Sequence, residues 1–72
     1  MEPTNISQLT KREKEVLKML AVGQQNKEIA QCLQISVATT QNHLQNLYKK
    51  LKVRNRTEAA EKYWDRENVN MP

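Results

Sequence analysis

Apolar residues recur along this chain in four short stripes separated by polar breaks. The first is Val16, Leu17, Leu20 and Ala21, the spacing of one helical face. Ahead of it stands Thr10, followed three residues later by Glu13. This pattern is a capping box and predicts a helix that starts after Thr10. Gly23, the only glycine, follows at once, where a helix needs a left-handed residue to stop. A second stripe, Ile29, Ala30 and Leu33, predicts a helix from near Gln25 or Asn26 through Leu33. Ser36 is a good N-cap for a third helix, on which Thr40, Leu44, Leu47 and Leu51 form one stripe. Val53 is expected to tuck in where that helix ends. Asn55 to Glu58 is a second capping pattern and opens a fourth helix with Ala59, Ala60, Tyr63 and Trp64. Residues 1–9 show no helical period and read as a lead-in; 10–67 form the domain; 68–72 read as a frayed tail. The fold class is therefore all-α, a four-helix bundle. Its second and third helices are joined by about three residues, which fits a helix-turn-helix. A plain two-helix hairpin fits the same spacing.

Composition narrows what can hold such a fold together. A chain of 72 residues makes one domain with a thin core. One cysteine excludes an internal disulfide, and one histidine with one cysteine cannot complete a four-ligand zinc site. No metal or other cofactor is expected. Stability must come from helix packing, with dimerisation as a possible addition. No apolar run approaches the roughly 20 residues that span a bilayer, so no membrane role is expected. A free thiol without an export signal favours the cytoplasm.

Charge changes the picture more than composition does. The net charge is +4, and no Asp or Glu occurs from Ile29 through Thr57. Lys49, Lys50, Lys52, Arg54 and Arg56 all lie in that stretch. A one-sided cationic surface suits a polyanion. A solvated basic helix end, favoured by the helix dipole, accounts for the same charges.

Two longer stretches then point to a family. "LTKREKEVLKMLAVGQQNKEIAQCLQIS", Leu9 to Ser36, and "TTQNHLQNLYKKLKVRNR", Thr39 to Arg56, resemble the DNA-binding domain of the LuxR/GerE-type transcription regulators. The likeness runs from Leu9 through Ala60 at fixed spacing. It implies four helices, a third helix that enters the DNA major groove, and a fourth that often mediates dimerisation. Three positions depart from the family pattern. Gln25 stands where Ser or Thr would cap the second helix, so Asn26 is expected to substitute or the helix start to loosen. Thr40 replaces a usual Val, and its hydroxyl is expected to bond the Ser36 carbonyl. Gln41 replaces a usual Lys.

The resemblance places Gln41, Asn42 and Gln45 at base edges. Helical geometry independently puts residues 41, 42, 45 and 49 away from the leucine stripe. A carboxamide carries donor and acceptor together and can bond adenine N6 and N7 at once. Ordinary solvated amides fit the same positions. Lys49, Lys50, Lys52, Arg54 and Arg56 are the candidate phosphate holders, joined by Lys27 and Thr39 at the starts of the second and third helices. Ala59, Ala60, Tyr63 and Trp64 are candidates for a homodimer contact, or merely flank the core. His43 reads as a half-buried packing residue, Tyr48 as packing at the helix edge, and Cys32 as a small core or edge residue.

Two functions of different class compete. One is a sequence-specific double-stranded DNA-binding domain, dimeric on DNA, either free-standing or the output part of a longer regulator. The other is a protein-interaction module on the same fold, which the missing lysine at Gln41 permits. An enzyme finds no support: there is no nucleophile–base pair and no phosphate loop. No small-molecule ligand is expected in this domain.

Overall fold

The computed structural model describes residues 6–67. Four α-helices follow one short 3₁₀ turn, Ile6–Gln8: α1 (Lys11–Ala21), α2 (Asn26–Leu33), α3 (Val37–Leu51) and α4 (Arg56–Glu67). The described residues contain no strand. All four predicted helices are present, and their limits follow from local capping chemistry.

At the start of α1 the Glu13 backbone N–H donates to Thr10 Oγ1 at 3.1 Å. The Thr10 N–H donates in return to Glu13 Oε1 at 3.0 Å, which closes the box. The helix stops in a Schellman turn: Gly23, with φ +96°, donates to the Leu20 carbonyl, and Gln24 donates to that of Met19. The same two-bond turn ends α2 at Gln34 and α3 at Lys52, both with left-handed backbone although neither is glycine. At α3 the Ser36 hydroxyl accepts from the Thr39 N–H at 2.9 Å. At α4 the Asn55 side chain accepts from the Glu58 N–H at 2.9 Å.

The start of α2 differs from the expectation. Asn26 does not cap; it is the first helical residue, and Gln25 holds the N-cap position. Glu28 supports this start from within, its Oε1 accepting the Gln25 N–H at 2.7 Å. This is the glutamate half of a capping box, which needs no hydroxyl at Gln25.

The core is a single cluster of Leu9, Val16, Leu17, Leu20, Ile29, Leu44, Leu47, Leu51 and Ala59. α1 sits at its centre and packs on the other three helices. Leu9 and, in part, Ile6 join this core, so the segment just before Thr10 is more than a lead-in. Thr40 is fully buried, and its hydroxyl donates to the Ser36 carbonyl at 3.0 Å as expected. Val53, His43 and Tyr48 are half-buried. Cys32 is exposed, against its expected place at the core or its edge. The inward stripe of α2 is already filled by Ile29, Ala30 and Leu33, which leaves position 32 to solvent. The expected tail, 68–72, lies outside the described residues.

Candidate nucleic-acid interface

Three residues, Gln34 to Ser36, separate α2 from α3. α3 rests its Thr40–Leu44–Leu47–Leu51 stripe on the core and turns the opposite face outward. Ala38, Asn42, Gln45 and Lys49, spaced i, i+4, i+7 and i+11, form the outermost row, and all four are exposed. Gln41 and Asn46 are exposed on its two flanks. Gln41 and Gln45 are thus free of the core. They border a shallow depression that also includes Asn26, Leu44 and Tyr48. Ala38 and Asn46 went unnamed in the sequence although helical period alone places them on this face. Asn26 gave no such signal, because its nearness to α3 depends on how two helices cross.

At the N-terminal end of α3, the Ser36 hydroxyl donates to Thr39 Oγ1 at 2.9 Å, so two hydroxyls meet at the dipole's positive end. Lys27, near the start of α2, is exposed, as are Lys49, Lys52 and Arg54 around the far end of α3. Arg54 leans on Glu58 with Nη2 to Oε2 at 3.3 Å, yet its side chain is largely in solvent. The Arg54 backbone N–H, donating to Glu58 at 2.8 Å, does most to hold that carboxyl below its ordinary value.

Two further candidate phosphate holders are tied to distant parts of the chain. Lys50 Nζ lies 2.8 Å from Oε1 of buried Glu13 and ties the end of α3 to the start of α1. Burial pushes the Glu13 carboxyl up, but the Lys50 ammonium and the Thr10 N–H outweigh it and leave its pKa lowered. Arg56 is half-buried: Nη1 donates to Asn26 Oδ1 at 3.1 Å and Nη2 to the Gln24 carbonyl at 2.6 Å. Burial raises the Tyr48 hydroxyl above its ordinary 10.0, with Arg56 pulling the other way, so the phenol stays protonated near neutral pH. No sequence signal announced either tether, since the partners are 37 and 30 residues apart.

On α4 the four candidate dimer residues separate. Ala59 is fully buried in the chain's own core and has no surface to offer a second copy. Small size at this position serves the close approach of α4 to its neighbours, a core role that sequence spacing alone does not distinguish from a surface one. Ala60 and Tyr63 are half-buried against the core. Trp64 is 41% exposed, with its indole N–H donating to the Ala21 carbonyl at 3.0 Å. Its ring meets Tyr63 edge-on, centroids 5.1 Å apart. The two neighbouring aromatics therefore do not compete for one core position. Tyr63 faces inward and Trp64 covers the end of α1.

Two helices joined by a three-residue turn, the second with a polar, acid-free outer face, define a helix-turn-helix domain. The chain belongs to the luxR family of bacterial regulatory proteins, whose pattern matches residues 7–63. It is thus a domain of the DNA-binding, transcription-regulating class. It is similar to the "Putative HTH-type transcriptional regulator YhjB" of Escherichia coli, 48% identical over 56 residues, 78% of this chain and 28% of that protein. The "Probable csgAB operon transcriptional regulatory protein" of Salmonella typhimurium is 47% identical over 66 residues, 92% of this chain and 30% of that protein. The "Nitrate/nitrite response regulator protein NarL" of Escherichia coli is 43% identical over 56 residues, 78% of this chain and 26% of that protein. The chain spans less than a third of the length of each of these relatives.

Proposed function

We propose that this chain reads double-stranded DNA by sequence, with α3 lying in the major groove. The observation that carries the reading is the outward row of α3. Gln41, Asn42 and Gln45 are exposed on that face, clear of the core, in a stretch from Ile29 through Thr57 that holds no acidic residue. Amides at the front of the helix can discriminate bases, each good bidentate pair contributing about 1–3 kcal/mol of discrimination. Cations at its far end can hold phosphates without regard to sequence. Lys49, Lys52, Arg54 and Lys27 suit that second task, with Thr39 as a hydroxyl donor. Residues 10–67, with Ile6 and Leu9 packed against them, act as one unit, and the task is recognition rather than catalysis.

The chain works as part of a regulator in the cytoplasm and pairs on DNA through α4, using Ala60, Tyr63 and Trp64. A pair of recognition helices would then meet half-sites about one helical turn apart. Selection of bound duplexes from a random pool tests the whole reading, and an inverted repeat is the expected product. Gln45→Ala should then weaken the selected site by roughly tenfold and leave random duplex nearly unchanged. Equal loss on both substrates would show that Gln45 reads no base. A folded chain that retains no duplex at low salt would sink the reading and favour a protein-interaction module instead.

A further inference from the structure

We infer that Asn26, on α2, is a further DNA-contacting residue, and that Arg56 is its positioning residue rather than a phosphate ligand. The inference rests on the reading of α3 as the DNA-facing helix. Its basis is the juxtaposition of Asn26 with Gln41 and Gln45 around one depression, together with the tether behind it.

A guanidinium has only donors. Because Arg56 Nη1 lies 3.1 Å from the Asn26 carboxamide, the atom that meets it must be the oxygen. The amide nitrogen is therefore at the other end. Arg56 is itself fixed by a second bond, Nη2 to the Gln24 carbonyl at 2.6 Å, in the turn between α1 and α2. Two bonds in different directions hold the guanidinium plane and aim it at the chain. Gln41 and Gln45 are exposed amides that can present either end to a ligand. Asn26, locked by Arg56, presents a donor. Its partner on DNA is an acceptor oxygen or nitrogen, either a phosphate oxygen or a base acceptor in the major groove.

The test uses the full chain, the duplex selected from a random pool, a random duplex, and a series of salt concentrations. Asn26→Ala should weaken the selected duplex by roughly tenfold, the value of one hydrogen bond to a charged or buried acceptor. Its salt slope should not change, because a neutral amide releases no counterion. Loss on both duplexes identifies a phosphate oxygen, and loss on the selected duplex alone identifies a base. Asn26→Asp keeps the Arg56 tether as an ion pair but has no donor. It should melt no lower than the unmutated chain and still bind at least as weakly as Asn26→Ala. Arg56→Met, which has no donor for Asn26 Oδ1, should weaken binding by a similar factor with an unchanged salt slope. The Asn26→Ala, Arg56→Met double variant should be no weaker than the worse single one, as two residues acting through one contact require.

An Asn26→Ala chain that binds as the unmutated one does overturns the inference while leaving the reading of α3 standing. So does an Arg56→Met slope shallower by about 0.9, which means that Arg56 holds a phosphate itself. If Arg56→Met fails to fold by circular dichroism, Arg56→Lys takes its place, and binding close to that of the unmutated chain is expected because a donor to Asn26 Oδ1 remains. An unmutated chain that binds neither duplex overturns both readings together.

Discussion

Individual side chains in this domain do two kinds of work, and the pair Lys50–Glu13 shows how the two can be confused. Lys50 sits among the cations of the basic stretch, yet its ammonium closes on buried Glu13 at 2.8 Å. Its removal leaves a buried carboxylate with only the Thr10 box. Lys50→Ala should therefore destabilise the fold by about 1–2 kcal/mol, less than for a fully buried pair because the lysine is partly in water. Chemical denaturation checks this, and an unchanged midpoint would show the contact to be idle. The pH dependence has a definite sign. Glu13 is held below its ordinary carboxyl value of 4.5, so its contribution is present above that value. It is lost as pH falls through the lowered folded value, and Glu13→Gln should lose less melting temperature over that acid window than the unmutated chain. Thr40 gives a third residue-level expectation. Its hydroxyl donates to a Ser36 carbonyl that also accepts the Thr40 N–H at 3.0 Å. Thr40→Val removes the donor without orphaning the acceptor, so stability should hold or rise by up to about 1 kcal/mol. A loss larger than that on thermal melting would show that the hydroxyl does more than satisfy itself.

Each helix is bounded by chemistry that spans four or five residues, and this is why the elements were legible in the sequence. Thr10 with Glu13, Ser36 with Thr39 and Asn55 with Glu58 are contacts between near neighbours, and the expected helix limits hold at all three. The stops were less legible. Only Gly23 advertises a left-handed residue, while Gln34 and Lys52 adopt the same backbone at φ 57° and 58° without glycine's freedom. Such a conformation costs an ordinary residue roughly 1–2 kcal/mol, part of which glycine returns as unfolded-state entropy. Gln34→Gly should raise stability by about 0.5–1 kcal/mol, a melting shift of roughly 2–8 °C for a domain of this size. A decrease would mean that the Gln34 side chain contributes a contact worth more than the backbone strain. Exposure on the outer face of α3 was legible from helical period alone. The fates of Ala59, Lys50, Arg56 and Cys32 were not. Each depends on which neighbour lies across a helix crossing, and stripes within one helix carry no such information.

For the whole molecule, the division between cations that face outward and cations that fasten helices together sets how strongly salt should act. Six cationic side chains stood as phosphate candidates: Lys27, Lys49, Lys50, Lys52, Arg54 and Arg56. Lys50 is spent on Glu13, and Arg56 on Asn26 and the Gln24 carbonyl. Lys50 ties the end of α3 to the start of α1, and Arg56 ties the start of α4 to the start of α2. The remaining four define an upper limit on phosphate contacts from this set. Each neutralised phosphate contributes about 0.9 to the slope of log affinity against log salt, so these four can supply at most about −3.6 per chain. Were all six engaged with DNA, the set would supply about −5.4. Titration of the selected duplex across a salt series, read per bound chain for the unmutated chain and Lys50→Ala, separates the two. A slope that becomes shallower by about 0.9 in Lys50→Ala would mean that Lys50 releases Glu13 on binding. Lys50→Ala would then flatten the slope as well as lower the melting temperature, whereas an intramolecular Lys50 requires the melting change without the flattening.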